Sequence, residues 1–131
     1  MKIKNNLLVI LAQVGGLNIT ANNLSAADAY KVIKFRRAVA KAFEALGDAE
    51  KAIIKDCGLE IVEKGELNGT DEAKAKFRKL QAELYNDEVD LGDIKTISFE
   101  SWHELKKENK ALANAYVEDN LEGVLWNAPE E

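Results

Sequence analysis

The sequence predicts a mainly α chain, a long helical hairpin with a few short strands; an α+β arrangement is the alternative. Three observations carry this. Val32, Phe35, Val39, Ala42, Leu46, Ala49 and Ile53 recur at alternating steps of three and four, a heptad-like stripe on one face of a long helix. Ala73, Phe77, Leu80 and Leu84 repeat the pattern further on. Pro129 is the single proline of the 131 residues, so nothing interrupts long helices in the interior.

The elements follow in order. Asn5 or Asn6 caps a first helix from Leu7 to about Val14, which Gly15–Gly16 ends. Lys2 and Lys4 followed by the apolar run Leu7–Ala12 superficially resemble a signal peptide, but the run is short and Gln13 interrupts it, so a short buried helix is expected. Asn18–Leu24 is a polar loop. Ser25 then caps the long helix, with Asp28 at the capping-box position. That helix runs from Ala26 to about Cys57. Gly47 costs about 1 kcal/mol relative to Ala but leaves the stripe in phase, so a continuous or slightly bent helix is expected, the alternative being a break at Gly47–Asp48 with Asp48 capping a second segment. Gly58 stops it.

Glu60–Glu63 has strand character, and Lys64-Gly65 and Asn68-Gly69 are turn signals, so a short strand or hairpin is expected. Thr70 caps the next helix, which runs to about Tyr85, with Asp71 and Glu72 at its positive dipole end. Phe35, Val39, Leu46 and Ile53 are expected to meet Phe77, Leu80 and Leu84 in the hairpin. One or two short strands around Val89–Ser98 could pair with Ile61–Val62. A last helical region starts near Ser98 or Ser101 and ends near Leu125, in one piece or two, and the chain is expected to fray after about Trp126. All of this fits one helical domain over residues 1–131.

Charge divides the chain. Residues 1–55 hold nine Lys/Arg against four Asp/Glu, giving +5; residues 56–131 hold nine against nineteen, giving −10, and the whole chain is −5. The two halves are expected to attract each other, within the fold or between copies. One cysteine, Cys57, cannot form an internal disulfide and fits a reducing compartment. No stretch approaches the roughly 18 apolar residues of a membrane span.

The residues offer little catalytic chemistry. His103 is the single histidine, and no local signature joins it to Cys57 as a nucleophile and base. Clustered Cys and His for zinc are lacking. Asp87, Glu88, Asp90 and Asp93 are acidic enough to attract a hard cation, but the third and fifth positions of a calcium loop counted from Asp87 are Val89 and Leu91, so a solvated turn is expected. Phosphate-loop and nucleophile-elbow motifs are missing. No catalytic, cofactor or metal residue is therefore assigned, and the chain is expected not to be an enzyme. Two candidate contacts remain. Lys31, Lys34, Arg37 and Lys41, with Arg36 and Tyr30 among them, make a basic face able to meet phosphates, although a solvated face is the plainer reading. Trp126 is a large apolar residue near the C-terminal end and a candidate partner contact.

A family resemblance joins these. The opening Met1-Lys-Ile-Lys-Asn-Asn-Leu-Leu, the Tyr30–Lys34 start of the long helix, the stretch Leu84-Tyr-Asn-Asp-Glu-Val-Asp-Leu-Gly-Asp-Ile-Lys and the phrase Ile97-Ser-Phe-Glu-Ser-Trp resemble short proteins encoded by tailed bacteriophages and prophages. These features cover about half the chain; the part after Ala111 is longer than the family pattern. The resemblance implies a phage-related role in the cytoplasm of a bacterial host, with association to the virion as an extension. It brings no activity and no functional residues. The resulting expectation is a non-enzymatic accessory protein that works by protein–protein contact, its partner a second copy or another phage protein. The alternative is a nucleic-acid-binding accessory protein using the basic helix face. The shorter helix cannot cover the full stripe of the longer one. Either the N-terminal helix and the Trp102 region cover the remainder, or an apolar strip is left for a partner.

Overall fold

A computed structural model describes residues 2–129. Glu130 and Glu131, the last residues of the tail expected to fray, lie outside the described residues. The chain is mainly helical with short antiparallel strands. In order come β1 (Lys2–Lys4), α1 (Asn5–Gln13), α2 (Ala26–Asp56), β2 (Glu60–Ile61), β3 (Leu67–Asn68), α3 (Asp71–Asn86), β4 (Glu88–Asp90), α4 (Phe99–Glu108) and α5 (Ala115–Leu121).

The long helix forms where its local signals place it. The Ser25 hydroxyl accepts from the Asp28 amide, α2 passes through Gly47 without a break, and Gly58 beyond it takes a left-handed φ of 74°. Asp28 does not fold back to complete a capping box. Its carboxylate instead accepts from the Ser101 hydroxyl of α4, a longer-range tie that fixes the two helices to each other. Thr70 and Ser98 cap α3 and α4 through their hydroxyls, from the amides of Ala73 and Ser101.

The helical hairpin is realised over only part of α2. Glu50 accepts from Gln81 at 3.0 Å and from Tyr85 at 2.9 Å, while Ile54, four residues later, packs with Phe77, so α2 and α3 run antiparallel. Ile54, Leu59 and Phe77 form a small separate cluster, flanked by Ile53, Cys57, Leu67 and Ala73. The expected meeting of Phe35 and Val39 with Phe77 is therefore corrected. Val32, Phe35, Val39 and Leu46 belong to the main core instead, with Leu7, Leu8 and Leu11 of α1, Trp102 and Leu105 of α4, and Val117 and Leu121 of α5. Leu84 and Tyr85 reach its edge. At the far end Ile54 is buried rather than Ile53. A helix of 3.6 residues per turn drifts about 20° per heptad from a 3.5-residue repeat, roughly 60° from Val32 to Ile53, which moves the inward face by one position. The stripe is thus covered by its own chain, the N-terminal helix and the Trp102 region closing over what α3 leaves, and among the described residues the alternative of an apolar strip left for a partner is not realised.

The ends of the described chain are held by distant residues. β1 pairs antiparallel with β4, setting Lys2 opposite Asp90, Ile3 opposite Val89 and Lys4 opposite Glu88. Here the basic and acidic halves of the chain do meet. The strand around Val89 thus pairs with β1 and not with Ile61, which pairs with Leu67 in a local hairpin. Asn5 does not cap α1: it is 8% exposed, its amide N–H donates to the Asp87 carbonyl and its Nδ2 to the Leu84 carbonyl at 2.8 Å. After α5 the chain folds back on the segment before α4. The Ile97 amide donates to the Leu125 carbonyl at 2.7 Å, and Asn127 Nδ2 donates to Thr96 Oγ1 at 2.7 Å.

Candidate functional site

Residues 29–43 contain five Lys/Arg and no carboxylate, within a chain holding 23 Asp/Glu. The helix divides these five cations by role. Lys31 is half-buried, 3.5 Å from the Asp28 carboxylate, and donates to the Thr96 carbonyl. Arg36 is half-buried and donates through Nη1 to the Ile19 carbonyl at 2.7 Å. Both tie α2 to neighbouring loops. Lys34, Arg37 and Lys41 are exposed, and with Tyr30 they follow steps of four, three and four along one face. Among the described residues, the ion pairs within 4.0 Å are Lys31–Asp28, Lys106–Glu118 and Lys107–Glu104, so Lys34, Arg37 and Lys41 form none, and the first carboxylate along their line is Glu44, one turn beyond Lys41.

Tyr30 heads the line with 62% of its surface exposed, and Lys34 Nζ lies 5.7 Å from the ring centroid. Beside the ring is a cleft of roughly 340 Å³, walled by Ala27, Tyr30, Lys31 and Lys34 on α2 and by Asp93, Ile94 and Lys95 across from it. Burial of Ile94 in the core pins that opposite wall. Of the basic residues singled out in sequence, Lys34, Arg37 and Lys41 are brought together on one open face and Lys31 is drawn into structural work. Lys95 was missed, because it reaches the cleft from a loop with no sequence signal linking it to α2.

The acidic cluster is spent on local structure. Asp87 Oδ1 accepts from the Glu88 amide, Asp90 Oδ1 accepts from the Gly92 amide at 2.8 Å, and Glu88 and Asp90 face lysines across the β1–β4 pair. The Gly92 amide, above all, holds the Asp90 carboxyl below its usual range. Among the described residues no group of three or more His, Cys, Asp or Glu could hold a metal ion. Cys57 packs beside the Ile54–Leu59–Phe77 cluster, while His103 sits against the Phe99 ring beside the other core, so the two are not brought together.

Trp126 is not available to a partner. It is 6% exposed, its ring stacks on Trp102, and its Nε1 donates to the Glu118 carbonyl at 3.1 Å. A side chain so enclosed offers no area to another molecule. Among the described residues, the large apolar groups that do reach the surface are Tyr30, Tyr116, Ile61 at 53% and Val62 at 41%. Ile61 and Val62 are adjacent on the β2–β3 hairpin. The sequence marked them as a strand but carried no sign that both would face outward. Among the described residues no helix is long and apolar enough to cross a membrane. Comparison with family models, with curated proteins and with solved structures finds no match to this chain.

Proposed function

We propose that this chain is a non-enzymatic accessory protein of a phage or prophage. It acts in the bacterial cytoplasm, or on the virion, by contact with another protein. The phage setting is supported by the likeness of the opening segment and of Leu84–Lys95 to phage-encoded proteins. The observation that carries the contact reading is the exposed Ile61–Val62 pair.

Two adjacent β-branched side chains facing water are an unspent driving force, since burying apolar surface is worth about 25 cal/mol per Å². They sit on a sheet of two strands, so each strand has one edge with no neighbour. An extended segment of a partner can add to such an edge. Glu60, Glu63 and Glu66 surround the pair, with Lys64 the one cation between them. The fitting partner segment is therefore apolar with basic flanks.

A photo-crosslinking residue at Ile61, with the same residue at exposed Lys51 as control, tests the reading in bacterial host cells. A discrete product from position 61, lost on adding Val62→Asp, is expected. Its mass tells a second copy from another phage protein. Identical products from both positions, or none from position 61, would reject it.

A further inference from the structure

We propose that the Tyr30 face of α2 is a second binding surface, for single-stranded nucleic acid. A base stacks on Tyr30, and the adjoining phosphates lie along Lys34, Arg37 and Lys41. This site is separate from the Ile61–Val62 hairpin and stands or falls independently of it.

Three observations converge on this ligand. The first is the ring itself. A tyrosine 62% exposed at the head of a basic line, with the Lys34 ammonium over its ring 5.7 Å from the centroid, sets open aromatic surface beside a cation, the pairing that single-strand stacking sites use. The second is the charge. Lys34, Arg37 and Lys41 have no carboxylate within ion-pair distance among the described residues, and residues 29–43 hold no acid at all. From Tyr30 to Lys41 the helix rises about 16 Å, a track for a few consecutive phosphates. The third is the cleft beside the ring. Its volume of roughly 340 Å³ lies at the small end of ligand sites, and Lys95 adds a cation on its far wall.

A duplex keeps its base faces covered, so an exposed ring adds nothing to duplex binding; a single strand leaves them open. Asp93 in the cleft wall and the overall charge of −5 oppose any polyanion. Binding is therefore weak and modestly salt-dependent. Three cations on a single strand give a slope of log K against log salt of about −2.

Fluorescence anisotropy on the full chain tests this, with a labelled oligothymidylate of about 12 nucleotides, a site length typical of such surfaces. A duplex of equal length, a polyglutamate peptide and inorganic phosphate serve as comparisons. The expected result is oligothymidylate binding with a slope near −2, and binding of the duplex and the peptide at least about tenfold weaker. Tyr30→Ala should weaken binding at least about fivefold with the slope unchanged. Lys34→Gln with Arg37→Gln should make the slope shallower by about 1.4. All three residues are exposed, and circular dichroism checks that the variants stay folded. No binding at low salt, equal binding of duplex or peptide, displacement by phosphate alone at equal concentration, or indifference to Tyr30→Ala would each overturn the proposal.

Discussion

Trp102 and Trp126 stack with their ring planes 4° apart and their centroids 5.6 Å apart, joining α4 to the segment that follows α5. Phe99 closes on the same side, 5.7 Å from the Trp126 ring. Trp126→Ala should therefore destabilise the protein by about 3–5 kcal/mol, as removal of a buried aromatic does. Urea unfolding followed by far-ultraviolet circular dichroism measures it. A loss under about 1 kcal/mol would mean that the last segment is loose and the stacking incidental.

The two apolar clusters should respond differently to damage. Phe77 is buried in the small cluster with Ile54 and Leu59, apart from the core that holds Trp102. Phe77→Ala should cost about 3 kcal/mol. It should also speed amide exchange over residues 54–77 while leaving protection near Trp102 largely intact, because the small cluster can open alone. Uniformly faster exchange across the chain would show instead that the clusters open as one unit.

Two glycines should move stability in opposite directions. Gly47 lies inside α2 with nothing within 4 Å of where a Cβ would sit, so Gly47→Ala should stabilise by up to about 1 kcal/mol. At Gly16 an added Cβ would come within 2.9 Å of the Leu11 carbonyl oxygen, so Gly16→Ala should destabilise. Thermal melts of the two variants beside the parent decide both signs.

Acid should weaken the α4–α5 contact. Glu118 accepts from Lys106 at 2.8 Å and from the Trp102 indole N–H. The Lys106 ammonium holds its carboxyl below the ordinary glutamate value of 4.5, against a smaller opposing effect of burial. With the folded value depressed, the stabilisation is complete above about pH 4.5 and is lost as pH falls through the folded value. Glu118→Gln should cost about 1 kcal/mol at neutral pH, with the gap to the parent closing as pH falls through the lowered folded value. A gap that stays constant with pH would remove the charge from the explanation. Glu108 shifts in the same direction, held down chiefly by the Thr20 hydroxyl and then by the Asn22 amide.

Helices α2 and α3 were legible in the sequence because their signals are local. Ser25 and Thr70 sit at their caps, Gly58 follows α2, and the apolar spacing fixes the inward face. The strand at Lys2–Lys4 was not legible. Three residues carry no period of their own, and what makes them a strand is Glu88–Asp90, far along the chain. Asn5 looked like a cap for the same reason, since only the fold brings the Leu84 carbonyl to it. Trp126 looked open to a partner because it lies beyond the last helical spacing, and no local pattern announces a stack with Trp102. Of the candidate face, helical spacing alone aligned Lys34, Arg37 and Lys41, while the Lys95 wall required the folded chain.

The β1–β4 pairing also sets a timetable for synthesis. Ile3, Leu7, Leu8 and Leu11 leave the ribosome early, yet they share one core with Leu121, Leu125 and Trp126. At about 5–20 residues per second, the interval between Leu11 and Trp126 is roughly 6–23 seconds. Throughout it the nascent chain displays an apolar helix that nothing yet made can fully enclose. Such a segment is a natural client for ribosome-associated chaperones, and closing contacts of this sequence separation slows folding of the core.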